Sequence, residues 1–274
     1  MMKRYSSAPY LVWSALFIII PLLMILFLAF TKTTEAGYAF SLESVFRLFD
    51  PLVMRIGIRS FVMALVATAL CLVLGYPVAY MLTKLPARVE KWLVVLLVLP
   101  MWMNFLLRTY AIQYLLGPTG LVNQVMMSMD LPTLNLLFNE GAVLFGMVYN
   151  YIPFMILPIY TVISKMDNKL IEAAEDLGAT GRRVFTHIIL PLSLPGVFSG
   201  ITMTFMPAVS TFVISALLGG GKYDLIGNLI ERQFTLSYDW HFGSALSMVL
   251  MIIILLLMTV LGRFEGESEG GGLW

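Results

Sequence analysis

The 274-residue sequence predicts an all-α polytopic membrane protein with six transmembrane helices. Three observations carry this reading. Hydrophobic residues make up 59% of the chain against 12% charged, and the mean hydropathy is +0.89, outside the usual balance of soluble domains. The apolar residues gather into uncharged stretches long enough to cross a bilayer, which takes about 20 residues for a hydrocarbon core of about 30 Å. No stretch alternates with a period of two as a barrel strand does, so helices must satisfy the backbone in lipid.

The first span is expected at about 10–30. It follows Met1-Met2-Lys3-Arg4 in the manner of a secretory signal, but the uncharged run over residues 5–31 exceeds a signal core of about 7–15 residues. It therefore reads as a retained span. Uncharged stretches place the second span at 60–83, the third at 92–116, the fourth at 141–164 and the sixth at 242–262. Arg108 interrupts the third, near enough to its end to snorkel to the interface. Residues 188–221 are too long for one simple span and carry Pro191, Pro195 and Pro207. With Ser193 as N-cap and Pro195 in the first turn, the fifth span is expected at 197–218, stopping at Gly219-Gly220-Gly221. Gly196 and Gly200 form a small-xxx-small pair suited to close helix packing. The membrane domain is thus 1–264, followed by a glycine- and glutamate-rich tail, 265–274, expected to be disordered.

Lysine and arginine in the loops set the orientation. With six spans both termini lie on one side, and Lys3-Arg4 suggests the cytoplasm. Lys84, Arg88 and Lys91 then fall in one inside loop, and Lys165, Lys169, Arg182 and Arg183 in another. Arg47, Arg55 and Arg59 oppose this, although they share a longer loop with Glu35, Glu43 and Asp50.

Other chemistries find little support. A net charge of +1 offers no field for nucleic acid. The single cysteine, Cys71, lies in an apolar run and reads as a packed small residue. His187 and His241 are far apart without metal-ligand spacing. Gly219-Gly220-Gly221-Lys222 has Ala216 and Tyr223 where a phosphate loop needs glycine and serine or threonine. The chain itself is therefore expected to bind no cofactor and to catalyse nothing.

The informative segment is the loop over residues 165–191. Asp167 is a natural N-cap, and Leu170, Ala173, Ala174 and Leu177 then recur at the spacing of one helical face, with Glu172, Glu175 and Asp176 opposite. Gly178 is placed to stop that helix. A second short helix starts after Thr180 and ends at Pro191. An interfacial helix and a groove-docking helix are both amphipathic. The narrow alanine–leucine strip beside an acidic face favours a protein groove over lipid.

These residues resemble a family. Glu172-Ala173-Ala174, then Gly178, then Ile188-x-Leu190-Pro191 fit the EAA loop of binding-protein-dependent ABC importer permeases. The resemblance implies the type I ABC importer permease architecture. It also implies a coupling helix docked on a cytoplasmic ABC ATPase homodimer, with Glu172 and Gly178 as docking positions and Ala173, Ala174 and Leu177 on the packed face. ATP and Mg would be bound by that partner. Leu48-Phe49-Asp50-Pro51-Leu52, Cys71-Leu72-Val73-Leu74-Gly75-Tyr76-Pro77, Lys84-Leu85-Pro86, Ile152-Pro153-Phe154-Met155 and Leu225-Ile226-Gly227-Asn228 are similar to the spermidine/putrescine permeases, most nearly their B-type subunit. That similarity implies a homologous C-type permease partner, an extracytoplasmic polyamine-binding protein or domain, and residence in the bacterial inner membrane among its lipids. Permeases for another small solute, and a stand-alone secondary transporter, are the alternatives; the latter normally shows inverted repeats, and none is visible.

Recognition of a polycation calls for carboxylates and aromatic faces. Candidate path residues are Trp102, Asn104, Tyr110, Tyr149, Asn150, Pro207, Ser210, Tyr223 and Asp224. Pro207 is midway along the fifth span, where a kink would expose backbone carbonyls. The outer carboxylates are Asp130, Glu140, Asp224, Glu231 and Asp239, none of them deep in a predicted span.

Overall fold

The computed structural model describes residues 8–35 and 37–269. The first span comprises α1 (Ala8–Ser14) and α2 (Ile20–Ala29), joined by a π turn at Ala15–Ile19. A β-hairpin follows where the sequence reading expects only loop: β1 (Thr31–Thr34) pairs antiparallel with β2 (Gly37–Phe40), Thr31 opposite Phe40. Gly37 takes the positive φ of +114° that closes the turn.

After α3 (Glu43–Phe46) comes α4 (Pro51–Leu82), 32 residues and so about 48 Å long, well beyond the hydrocarbon thickness. It starts before the predicted 60 because the Asp50 carboxylate accepts the Leu52 N–H at 2.8 Å and Pro51 suits the first turn. Arg55 and Arg59 fall within this opening stretch of α4, which is why reading uncharged stretches alone missed it.

The third span is broken. α5 (Ala87–Trp102) and the helix formed by α6 (Phe105–Leu116) with α7 (Leu121–Ser128) meet at 95°. The span expected over 92–116 is thus bent into two helices. The Asn104 side chain accepts the N–H groups of Leu106 and Leu107 at 2.8 and 3.4 Å, starting a new helix two residues after the old one ends.

α8 (Glu140–Ser164) matches the prediction and is capped by Asn139, which accepts the Ala142 N–H at 2.8 Å. It is the central helix: 56% of its apolar window is buried within the chain, against 11% for the first span and 17% for the last. α9 (Asn168–Asp176) and α10 (Gly181–Val184) follow. α10 passes through a π turn at Phe185–Ile189 into α11 (Leu190–Ser210), forming one 30-residue helix from Gly181 to Ser210.

That helix corrects two expectations. Pro191 does not end it and Ser193 does not cap it. In the π turn the Leu190 N–H bonds to the Phe185 carbonyl, five residues back, and this wider turn makes room for a ring without an N–H. Ser193 is fully buried inside the helix, its hydroxyl donating to the Leu190 carbonyl at 2.9 Å. The fifth span breaks instead at Thr211-Phe212 and resumes as α12 (Val213–Gly219).

α13 (Ile226–Thr235) lies in the next loop, and α14 (Trp240–Glu269) is the last span. α14 continues through Glu269, so the first half of the predicted disordered tail is helical; residues 270–274 lie outside the described residues. Among the described residues five helices are long and apolar enough to cross a membrane, and the bent pair counted as one crossing makes six.

The core lies where α4, α8 and α11 meet. A Cβ on Gly196 would sit 2.8 Å from the Pro158 carbonyl oxygen, and one on Gly200 would sit 2.8 Å from the Met155 sulfur. The small-xxx-small pair therefore sets the approach of α11 to α8. Cys71 is buried in the same core with its thiol 3.8 Å from the Val148 carbonyl, a packed small residue as its sequence context suggests.

Candidate functional site

The loop over 165–191 folds as its sequence suggests at its first helix. The Asp167 carboxylate accepts the Lys169 N–H at 3.0 Å. At the other end the Ala179 N–H bonds to the Ala174 carbonyl at 3.0 Å and the Gly178 N–H to Glu175 at 2.9 Å, a Schellman closure. It requires a residue in the left-handed region, and Gly178 supplies it at φ +82°. A Cβ there would meet nothing within 4 Å, so this chain needs the glycine for its backbone angle and not for space.

The faces of α9 divide differently from the expected strip. Ile171, Ala174 and Ala179 turn inward and pack against the chain's own core. Leu170, Glu172, Ala173, Asp176 and Leu177 face out. Ala174 is therefore not on the presented face, because a helix resting on its own bundle must commit one stripe to it. Leu177 is 89% exposed, an aliphatic side chain with nothing of this chain to cover it. The outward surface is a short acidic and aliphatic knob that leads through Gly178 into the helix carrying the fifth span.

At the opposite end, arginines take up the carboxylates. Arg47 bonds Asp239 at 2.7 Å with its guanidinium 4.0 Å from the Phe242 ring centroid. Arg59 bonds Glu140 at 2.7 Å and lies 4.6 Å from the Tyr223 ring. Arg232 pairs with Asp224. Partial burial disfavours ionised Asp239. Hydrogen bonds from Arg47 and the Phe242 N–H, with the charges of Arg47 and His241, outweigh it and hold the carboxyl below its ordinary value. Arg47–Asp239 ties the segment before α4 to the one after α13, Arg59–Glu140 ties α4 to the start of α8, and Arg232–Asp224 links α13 to the residues just before it. Glu231 has no basic partner among the described residues and accepts the Thr235 hydroxyl at 3.1 Å.

The candidate path residues fall in three environments. Trp102, Tyr110 and Tyr149 are 83%, 52% and 44% exposed on the surface of the isolated chain. Asn104 is committed to capping α6, Tyr223 to Arg59 and Asp224 to Arg232. Asn150 is buried in α8, its amide donating to the Gly146 carbonyl at 2.8 Å while its Oδ1 has no partner. Pro207 stays inside an intact helix, and its carbonyl accepts the Tyr151 hydroxyl at 3.2 Å. Ser210 bonds the Met206 carbonyl at 3.1 Å and sits at the last turn before the break. The expected opening at Pro207 thus lies four residues further on, at Thr211.

Arg108 does not snorkel. The bend in the third span carries α6 inward against α8 and α12, and Arg108 is 8% exposed with Nε and Nη1 lacking hydrogen-bond partners. The Leu225-Ile226-Gly227-Asn228 segment, quoted above only for its resemblance, closes the break in the fifth span. Asn228 donates to the Phe212 carbonyl at 2.8 Å, accepts the Leu225 N–H at 3.0 Å and also accepts the Ser215 hydroxyl. Ser60 on α4 accepts the Ile226 N–H at 2.7 Å. The signal was available in Ile226, Leu229 and Ile230, spaced as one face of a short helix, beside an asparagine two residues in.

Residues 72–264 match the family described as binding-protein-dependent transport system inner membrane component. The chain is 41% identical over 257 residues, 92% of its own length and 93% of the relative's, to the spermidine/putrescine transport system permease protein PotB of Escherichia coli strain K12. It is 40% identical over 256 residues, 92% and 90% of the two lengths, to the protein of that name in Haemophilus influenzae. The fold is similar to a chain of a bacterial ABC transporter involved in the import of the acidic polysaccharide alginate, with a TM-score of 0.81 at 16% identity, covering 96% and 95% of the two chains. A chain of the inward-facing MetNI methionine ABC transporter gives 0.60 at 18% identity, covering 80% and 98%.

Proposed function

The chain belongs to the family of binding-protein-dependent transport system inner membrane components, and on that premise we propose that it is the permease subunit of an ATP-driven importer of spermidine and putrescine. It forms half of a translocation pathway with a homologous C-type permease. A cytoplasmic ATPase homodimer binds ATP and Mg and supplies the energy, while this chain performs no catalysis. The α9 end and both termini face the cytoplasm. The hairpin end faces a polyamine-binding protein outside the membrane.

One observation carries this reading. The knob bearing Leu170, Glu172, Ala173, Leu177 and Gly178 is exposed, capped at both ends and joined to a 30-residue helix that includes the fifth span. A knob pushed by an ATPase has a continuous helical path into the membrane. The cargo assignment rests on relatives 40% and 41% identical along most of their length. The outer pairing of Glu140, Asp224 and Asp239 with arginines agrees with it physically. A pathway that must release a polycation gains nothing from strong unpaired carboxylates, and affinity is left to the binding protein.

The test is reconstitution of the complete transporter and measurement of ATPase activity with different loaded binding proteins. Stimulation by the spermidine- or putrescine-loaded form is expected. Stimulation by a sulfate- or sugar-loaded form, with none by polyamine, rejects the cargo assignment and leaves the permease role standing.

A further inference from the structure

The Gly75-Tyr76-Pro77 segment of α4 has no part in docking or in the candidate path, yet Tyr76 touches the α10–α11 helix twice. The Phe185 ring lies edge-on to Tyr76 with centroids 5.9 Å apart at 89°. It also packs against Tyr80, one turn along α4, at 5.3 Å and 68°. Eight residues beyond Phe185, the Tyr76 hydroxyl lies 2.7 Å from the Ser193 hydroxyl oxygen. Ser193 has one proton, and it goes to the Leu190 carbonyl at 2.9 Å. Both contacts are hydrogen bonds at once only when Tyr76 donates and Ser193 accepts.

Between these contact points lies the compliant part of the helix. Residues Phe185–Ile189 form the π turn, whose wider ring is a less regular bond pattern than the flanking α turns. Pro191 follows and leaves the His187 carbonyl without its usual N–H donor. Both features make this the place where a force on α9 would bend the helix before reaching the membrane. One side chain from a neighbouring span bridges the joint from end to end.

We propose that Tyr76 is a positioning residue for energy coupling, a staple that holds the α10–α11 helix straight across its π turn so that movement of α9 reaches the fifth span. With the staple closed, Phe185 and Ser193 stay in register and the helix moves as a unit against α4. With it open, the joint absorbs the displacement and nucleotide turnover proceeds with less motion in the span. This rests on the proposed docking of α9 on an ATPase, and the experiment separates the two.

In the complete reconstituted transporter, Met203→Cys, on an exposed position of α11 beyond the joint, carries a fluorophore; Cys71 is fully buried and is not labelled. The signal change on trapping with ATP and vanadate is recorded beside the ATPase rate. Tyr76→Phe keeps the ring against Phe185 and removes only the donor. Ser193→Ala removes the acceptor, and Ser193→Thr retains a hydroxyl. Tyr76→Phe and Ser193→Ala are expected to retain assembly and ATPase rate, while the label's response per turnover falls about fivefold, the ratio that one net hydrogen bond is worth. The double variant should be no worse than either single one, and Ser193→Thr should restore the response. A wild-type response in both single variants, or additive losses in the double variant, overturns the staple. Failure of docking has a different signature: Leu177→Glu would retain the ATPase in the complex whatever Tyr76 does.

Discussion

Leu177→Ala tests the docking surface with a magnitude that follows from its exposure. At 89% exposed, the side chain gives almost nothing to the stability of this chain, so its truncation should leave the melting temperature of the isolated protein unchanged. Full burial of a leucine stabilises by about 1.5–3 kcal/mol. If the ATPase covers Leu177, truncation should weaken that contact by about 2 kcal/mol, or roughly 25-fold in its dissociation constant at about 1.4 kcal/mol per decade. Alanine is a good helix former, so α9 and its Schellman closure should persist. The assay is retention of the ATPase on the detergent-solubilised permease pair across a concentration series, with the melting temperature read on the same samples. A melting temperature that drops while ATPase retention is unchanged would refute the reasoning, since it would mean that Leu177 is covered by its own chain and not by a partner.

Three further outcomes are expected. At Gly178 the constraint is the +82° φ, so Gly178→Asn, which tolerates the left-handed region, should couple better than Gly178→Val in ATPase-driven transport; equal loss in both would mean that the partner needs the space. Gly200→Leu must displace Met155, whose sulfur would lie 2.8 Å from the new Cβ and whose backbone oxygen 3.1 Å away, and should reduce the yield of folded protein where Gly57→Leu, in open space, does not; comparison of size-exclusion profiles decides it. The Asp239 carboxyl is held below its ordinary value, so its contribution is complete above the unfolded-state value and is lost as pH falls through the lower folded one. The gap in melting temperature between wild type and Asp239→Asn should therefore be constant near neutrality and close only in acid below the usual carboxylate range; a gap that closes near pH 6 contradicts the Arg47 tie.

The membrane character and approximate number of crossings were determined by the sequence alone, because a bilayer rewards a local property: about 20 apolar residues in a row. The identity of the functional loop was equally local. Asp167, Leu170, Leu177 and Gly178 encode a capped helix and its stop through side-chain hydrogen bonding, periodicity and one glycine angle, and all of these act within a dozen residues. What only the tertiary structure decided lies between segments. A scan along the chain saw Pro191 as a stop, but the π turn before it and the contacts of Tyr76 on α4 allow the helix to continue. It saw Arg108 as a snorkelling residue, but the bend at Asn104 turns it inward. It grouped Ala173 with Ala174, and only the packing of α9 on its own bundle separates the face it keeps from the face it offers. The same holds for the carboxylates at the hairpin end, whose arginine partners lie up to 192 residues away in the chain. Each of these outcomes is set by which helix lies beside which, through pairings of distant residues that no local pattern encodes.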